Sequence, residues 1–330
     1  MSLIVNHLTK RYGQKIVVDD LSFAMEKPGV YALLGTNGAG KTTSIRMMLG
    51  MLSRDGGEVL WNGRPLDTDT CNVGYLAEER GLYPKYELMD QLLYFAALRG
   101  VKGEEARRRI RYWAERLEVE EYLYPGQRKP SPESALMGRR RSAIRLGGGV
   151  KKQKPIKADQ LSKGNQQKIQ LVTALAHDPD IVILDEPFSG LDPVNAMLLK
   201  DVVKEQISKG KIVLFSSHQM SYIEEFCDSI AIINAGKVVL TGDLHDIKRD
   251  YPRDRLVVRT EYPDQIQADF GTACKVMENG ALLIQLTSPE EKKAVMARLV
   301  EHYDIDEVKV YEPSLNDIFV EYAGNAAAEG

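Results

Sequence analysis

The sequence predicts an α/β fold for most of its 330 residues, followed by a smaller α+β domain. One reason is an apolar run at Gly29–Leu34 that leads through a glycine-rich loop into a helical stretch at residues 41–49. A second is the series of short apolar runs that alternate with helical stretches, which is typical of parallel strands covered on both faces. The third is a change of pattern after residue 250. At about 150 residues per domain, the length also suggests two domains.

The elements of the first part follow in order. Two strand-like stretches, residues 3–5 and 16–23, flank a turn at Tyr12 and Gly13. Further strands are predicted at residues 29–34, 73–76, 181–184, 212–216 and 230–234. Helices are predicted at residues 41–49, 88–99, 104–117, 166–177 and 195–209. Strands that alternate with helices in this way indicate βα units and a parallel sheet.

The second part reads as a separate small domain. Strands are predicted at residues 255–260, 274–277, 282–286 and 305–311, with Asn279-Gly280 as a hairpin turn between the middle two. Ser288 and Pro289 open one helix, and residues 315–322 form another. We therefore expect domains at residues 1–250 and 251–324, with a disordered tail at 325–330.

The segment at residues 124–158 does not fit the α/β pattern. It is rich in proline, glycine and serine and carries ten lysines and arginines against one acid, Glu133. Such a composition predicts a flexible basic insertion.

Composition narrows the class of function. The chain has 44 Lys and Arg against 47 Asp and Glu, a net charge of −3, so a protein built mainly to bind nucleic acid is disfavoured. No apolar run approaches the roughly 20 residues that span a bilayer, and the N-terminus lacks the layout of a signal peptide. The three scattered cysteines imply no disulfide framework, which favours a cytoplasmic location.

The clearest motif is Gly35-Thr36-Asn37-Gly38-Ala39-Gly40-Lys41-Thr42, which matches the phosphate-binding loop G-x-x-x-x-G-K-S/T. Glycines let consecutive backbone N–H groups surround phosphate oxygens, and the following helix adds its positive end. Lys41 is expected to reach the β- and γ-phosphates of ATP, and the Thr42 hydroxyl to bind Mg²⁺.

Two acidic residues, Asp185 and Glu186, directly follow the apolar run 181–184. This position lies at the edge of the sheet where α/β proteins bind ligands. Asp185 suits a magnesium ligand, and Glu186 suits the base that polarises the attacking water. Without the phosphate loop, such acids would more often cap a helix.

Leu161-Ser162-Lys163-Gly164-Asn165 forms a second anion-binding helix start. One active site does not need two such starts, so the second would serve the ATP of another copy.

These motifs resemble those of the ATP-binding subunits of ABC transporters. Six features occur in family order: Tyr12, which would stack on adenine, the phosphate loop at 35–42, LSKGN at 161–165, ILDEP at 183–187, SGLDP at 189–193 and the switch histidine His218. The resemblance implies a P-loop ATPase domain with a RecA-like core, an antiparallel β subdomain and a helical subdomain. Residues 251–324, with Glu312-Pro313-Ser314-Leu315, resemble the accessory domain of the sodium-export-like ABC-2 exporter branch.

The resemblance assigns roles to individual residues. Catalysis would fall to Glu186 and His218, and magnesium would be held by Thr42, Asp185 and Glu78, where the family usually has glutamine. ATP would be bound by Tyr12, Gly35, Thr36, Asn37, Gly38, Ala39, Gly40, Lys41, Thr42 and Thr43. The second copy would contact the same ATP through Ser162, Lys163, Gly164, Asn165 and Asp192, although Lys163 and Asn165 depart from the common LSGGQ.

The function implied is that of an ATP-hydrolysing motor with ATP and Mg²⁺ as cofactors. It would act as a head-to-tail dimer beside a separate transmembrane permease subunit, on the inner face of the cell membrane and without a nucleic-acid partner. A rival is a soluble ABC ATPase that acts on nucleic acid or ribosomes through residues 124–158. Such proteins usually carry two cassettes or a long coiled coil, which this sequence lacks. A non-hydrolysing nucleotide sensor is disfavoured by Glu186 and His218.

Overall fold

A computed structural model describes residues 1–79, 81–125, 155–277 and 279–328 of the chain, with side chains described up to residue 322. The predicted insertion at 124–158 therefore lies mostly outside the described residues, as do residue 278 and the last two residues of the predicted tail. The chain divides into two compact units, Met1–Thr241 and Gly242–Gly330.

The first unit contains ten described strands, the last of which extends to Asp243. They are β1 (Leu3–Tyr12), β2 (Lys15–Met25), β3 (Gly29–Leu34), β4 (Gly56–Trp61), β5 (Arg64–Pro65), β6 (Val73–Leu76), β7 (Ile181–Asp185), β8 (Ile212–Ser217), β9 (Ser229–Asn234) and β10 (Lys237–Asp243). Its described α-helices are α1 (Lys41–Met48), α2 (Leu88–Leu98), α3 (Gly103–Arg116), α4 (Glu120–Leu123), α5 (Lys163–Leu175), α6 (Pro193–Ser208) and α7 (Met220–Phe226).

The strands form two sheets. A four-stranded antiparallel sheet has the order β2-β1-β4-β5, and a six-stranded sheet has the order β10-β9-β3-β8-β7-β6. In the larger sheet β6, β7, β8, β3 and β9 run parallel to their neighbours in that sequence. The α/β fold with an antiparallel subdomain is thus confirmed.

The middle of the larger sheet forms part of a hydrophobic core. Every residue of β3, β7 and β8 is buried. Alternate apolar side chains of these strands, such as Leu33, Ile183 and Leu214, join one cluster with side chains of α1, β1 and β2. Because these three strands are adjacent and parallel, their carboxyl ends meet at one edge. The glycine loop, Asp185 and Ser217 all follow or end these strands, so this edge gathers the polar groups.

The helices from α2 to α5 pack together, with α3 on α2 and α5, and α5 also packs against β6. One face of α3 buries Ala106, Ile110, Trp113 and Ala114, at the spacing of successive turns. This group of helices includes α5, and the residue that caps α5 is Ser162.

Several elements were not predicted, for a common reason. Strand β4 buries only Val59 and both residues of β5 are exposed, so neither shows a clear alternation. Helices α4 and α7 are short, and each buries a single side chain, Leu123 and Ile223 respectively.

The second unit is an α+β domain, as predicted. After α8 (Leu244–Arg249) come β11 (Arg255–Arg259), α9 (Pro263–Phe270), β12 (Cys274–Val276), β13 (Leu282–Gln285), α10 (Lys292–His302), β14 (Glu307–Val310) and α11 (Leu315–Ala328). The strands pair antiparallel in the order β12-β13-β11-β14, and the core lies between this sheet and the helices α9 and α10. The helix predicted to start at Ser288 begins with a 3₁₀ turn, Pro289–Glu291. Helices α8 and α9 were not predicted.

Candidate functional site

The phosphate loop connects β3 to α1 at the carboxyl edge of the larger sheet. Gly40, which precedes α1, has a φ of 110°, a backbone conformation that residues other than glycine rarely adopt. At Gly35 a Cβ atom would lie 2.6 Å from the carbonyl oxygen of Ile233, so a larger residue would displace the strand behind it. Thr36, Asn37 and Gly38 are exposed at the tip of the loop, whereas Ala39 is buried. No acidic residue lies in the first turn of α1, which keeps the positive helix end available to an anion.

Lys41 folds back over this loop. Its side chain is only 6% exposed, and Nζ donates hydrogen bonds to the carbonyl oxygens of Gly35 (2.7 Å) and Thr36 (3.2 Å). The same Nζ lies 3.3 Å from Oε1 of Glu186, which is equally buried. The loop cation and the candidate base therefore form an ion pair in the described structure.

Asp185 ends β7 beside the phosphate loop and is almost completely buried. Its Oδ1 accepts hydrogen bonds from Thr42 Oγ1 (3.2 Å) and from the hydroxyl of Ser216. Its Oδ2 is buried without a hydrogen-bond partner among the described residues. Burial, together with the negative charge of Asp185, raises the pKa of Tyr75 to about 12. The unpartnered oxygen of Asp185 is thus a carboxylate ligand available to a cation.

Glu186 follows Asp185 in a strained conformation. Its φ of 50° is unusual for a residue with a side chain, and its N–H donates to the carbonyl oxygen (3.2 Å) and the hydroxyl (3.1 Å) of Ser216. Its Oε2 lies 2.9 Å from Nδ1 of His218. The Glu186 carboxylate is consequently held between Lys41 and His218.

The segment at 161–165 lies at the start of α5. Ser162 caps the helix by accepting a hydrogen bond from the N–H of Asn165 (3.3 Å). Asn165 in turn donates to the hydroxyl of Tyr122 at 2.8 Å, while Ser162 and Lys163 are exposed. A Cβ atom on Gly164 would have ordinary contacts at 3.8 Å or more.

Asp192 caps the neighbouring helix α6. Its Oδ1 accepts from the N–H of Asn195 at 2.9 Å, and this bond is the main cause of a lowered pKa of Asp192. The residue is exposed, as Ser162 and Lys163 are. The exposed residues assigned to the second copy thus lie at the N-terminal ends of two helices, α5 and α6.

The remaining predicted site residues of the first copy are Tyr12, Glu78 and Thr43. Tyr12 ends β1 and is 54% exposed, with Nζ of Lys10 5.4 Å from its ring centroid. Glu78 is exposed after β6. Within the described ranges, no three His, Cys, Asp or Glu side chains converge as a metal-holding group. Thr43 is half-buried in the first turn of α1.

Sequence reasoning did not find Ser216 or Tyr75. Ser216 could have been noticed, because two serines end the apolar run 212–215 just before His218. Tyr75 gave no signal, since its position beside Asp185 depends on the pairing of β6 with β7.

Comparison with known proteins gives consistent matches. Residues 18–189, just over half of the chain, match the ABC transporter family, and residues 242–323 match the C-terminal domain of ATP-binding proteins similar to DrrA1-3. The uncharacterized ABC transporter ATP-binding protein YhaQ of Bacillus subtilis is 37% identical over 324 residues, 98% of each chain. The Nod factor export ATP-binding protein I of Burkholderia orbicola is 30% identical over 72% of this chain and 70% of its own. A solved ATP-binding subunit of an ABC transporter superposes with a TM-score of 0.60 at 29% identity, over 76% of this chain and 93% of that structure.

The fold and the site define an ATP-hydrolysing subunit built on a P-loop. The chain belongs to the ABC transporter family. It is the ATP-binding motor subunit of a transporter and carries a DrrA-like domain at its C-terminal end. Among the helices of the described residues, none combines the length and apolar character needed to cross a membrane.

Proposed function

We propose that this subunit powers an exporter. Support comes from the Nod factor export relative and from the resemblance of residues 251–324 to the accessory domain of ABC-2 exporters. In this proposal residues 1–250 act as the ATPase domain and 251–324 as an accessory domain. The chain would work on the cytoplasmic face of the cell membrane, beside a separate transmembrane permease subunit.

One observation carries the proposed chemistry: Lys41, Thr42, Asp185, Glu186 and His218 are joined by direct contacts at one sheet edge. Glu186 would accept a proton from the attacking water, and the His218 ring would contact the γ-phosphate. Lys41 would exchange its loop carbonyls for the β- and γ-phosphate oxygens. The backbone of residues 35–43 would surround the phosphates, and the exposed ring of Tyr12 would stack on adenine.

The residues present also suit Mg²⁺. Thr42 and Asp185 place two oxygens 3.2 Å apart, and the second oxygen of Asp185 is buried without a partner among the described residues. Hard cations prefer such hydroxyl and carboxylate ligands. When bound, Mg²⁺ would neutralise charge on the β- and γ-phosphates. Glu78, which is exposed after β6, would complete this set from its loop.

We further propose a homodimer with two ATP molecules between its copies. Ser162 and Lys163 are exposed at the start of α5, where backbone N–H groups can bind an anion, and Asp192 is exposed at the start of α6. Gly164 and Asn165 belong to the same segment. ATP bound to the phosphate loop of one copy would thus be completed by the second copy.

The variant Glu186→Gln tests both parts of this function. An amide cannot accept the proton of water, so we expect ATP to bind but hydrolysis to fall by at least about 100-fold. Trapped ATP should then move the variant from monomer to dimer on a sizing column.

The surface assigned to the second copy has a matched control. Adding Ser162→Arg to Glu186→Gln should abolish the ATP-dependent dimer without weakening ATP binding by the single copy. Ser208→Arg, at an exposed serine at the end of α6, should leave the dimer intact. A dimer that tolerates Ser162→Arg would contradict the head-to-tail arrangement.

A further inference from the structure

Three aromatic rings stack beside the candidate catalytic residues. The ring of Phe188 is 4.4 Å from that of Tyr222 and 5.2 Å from that of Phe226, with interplanar angles of 10° and 8°. Phe188 also meets Phe215 of β8 edge-on at 5.5 Å. We call Phe188, Tyr222 and Phe226 the aromatic stack.

Phe188 joins this stack to two turns. On its N-terminal side, the N–H of Ser189 donates to the carbonyl oxygen of Glu186 at 3.1 Å. On its C-terminal side, the N–H of Leu191 donates to the carbonyl oxygen of Phe188 itself at 3.3 Å. Phe188 therefore lies between Glu186 and the turn that leads to Asp192. Its side chain is buried, so its ring is fixed from all sides.

The other two rings belong to α7, which starts two residues after His218. This helix has seven residues, no side-chain bond at its N-terminal cap and one buried side chain, Ile223. The stack thus supplies a large part of the packing that orients α7.

Lys200 of α6 covers the outer end of the stack. Its Nζ lies 4.6 Å from the ring centroid of Phe226 and 2.5 Å from Oε1 of Glu225. The stack is therefore held by both α6 and α7.

We propose that the aromatic stack consists of positioning residues that hold His218 against Glu186 and link this pair to the turn at residues 189–192. Phe188 fixes the Glu186 side, while Tyr222 and Phe226 fix the helix that follows His218. Movement of the turn at 189–192 would then be transmitted to the His218–Glu186 contact through the rings. The inference rests on the roles proposed above for Glu186 and His218.

The test uses steady-state ATPase kinetics of the full-length chain with Tyr222→Ala, Tyr222→Phe, His218→Ala and the double variant Tyr222→Ala/His218→Ala. Tyr222→Ala should lower kcat by about five- to tenfold and change KM by less than about twofold, since one stacked pair is lost away from the nucleotide. Tyr222→Phe keeps the ring and should retain the wild-type kcat.

The double variant separates positioning from general stability. If the stack acts through His218, its loss should cost nothing further once His218 is absent, so the double variant should match His218→Ala. Tyr94→Ala, at an exposed aromatic residue of α2 with an edge contact to Phe95, is the control and should leave kcat unchanged.

Three results would overturn the inference. The first is a wild-type kcat for Tyr222→Ala, and the second is a kcat for Tyr222→Phe that is as low as that of Tyr222→Ala. The third is that Tyr222→Ala lowers kcat by the same factor in the wild type and in His218→Ala. A wild-type kcat for His218→Ala would instead overturn the role proposed for His218, and with it this inference.

Discussion

The hydroxyl of Ser216 donates a hydrogen bond to Oδ1 of Asp185, although the two residues are 31 positions apart in the sequence. They are direct partners in the parallel pairing of β7 with β8. The same serine accepts the N–H of Glu186 at 3.1 Å. One buried hydroxyl thus orients both acids of the site.

Ser216→Ala should lower kcat by at least about tenfold, because hydrogen bonds to charged groups are worth about 1.5–3 kcal/mol. It should also raise the Mg²⁺ concentration needed for half-maximal activity, since Asp185 loses a bond that orients it. The control is Ser217→Ala, whose buried hydroxyl accepts the N–H of Gln219 and has no hydrogen bond to either acid in the described part of the chain. Unchanged turnover and Mg²⁺ dependence in Ser216→Ala would show that the bond has no role in the reaction.

Lys41→Ala should reduce ATP hydrolysis by at least about 100-fold, because the charge that compensates the developing phosphate oxyanions is removed. Phosphate release assays of the purified chain measure this loss. Lys204→Ala, at an exposed lysine of α6, should leave the rate unchanged. Turnover near that of the wild type in Lys41→Ala would refute the assignment of the phosphate loop.

A pH effect on stability is expected from His177. Burial lowers its pKa from the ordinary value of 6.5, so below this pH the unfolded chain binds a proton that the folded chain does not. The contribution of the neutral His177 ring to the free energy of unfolding is therefore fully present above pH 6.5 and is lost as the pH falls. The loss amounts to up to about 1 kcal/mol between pH 6.5 and 5.5.

Urea unfolding at several pH values measures this effect. The variant His177→Asn should show a shallower loss of stability on acidification, whatever its absolute stability. His302→Asn, at an exposed histidine of α10, should keep the wild-type slope. Equal slopes for His177→Asn and the wild type would contradict the prediction.

The basic segment should be dispensable for hydrolysis. Replacing residues 126–150 with a short Gly-Ser linker should leave the ATPase rate within about twofold, because loop closure entropy depends only weakly on length. The replacement begins after Tyr124, since the Arg111 guanidinium lies 4.5 Å from the centroid of that ring. Binding to anionic lipid vesicles should fall, because six lysines and arginines are removed. A large drop in melting temperature would show that the segment is structural.

Much of the fold was predictable from local patterns. The runs that became β3, β7 and β8 are apolar throughout because both faces of these strands are covered. The strands β4, β5 and β10 were not predicted, since strands with few buried residues keep little hydrophobic alternation. The turn and helix that carry Ser162 were predicted from residues 161–165.

The sequence by itself determined the motifs and their order, because a phosphate loop needs its glycines, lysine and threonine contiguous in the chain. Only the tertiary structure decided which distant groups touch those motifs. The placement of β8 between β3 and β7 brings Ser216 to Asp185 and His218 to Glu186, and the packing of α7 brings Tyr222 to Phe188. These contacts depend on strand order and helix packing, which follow from the burial of the whole core rather than from any local run of residues.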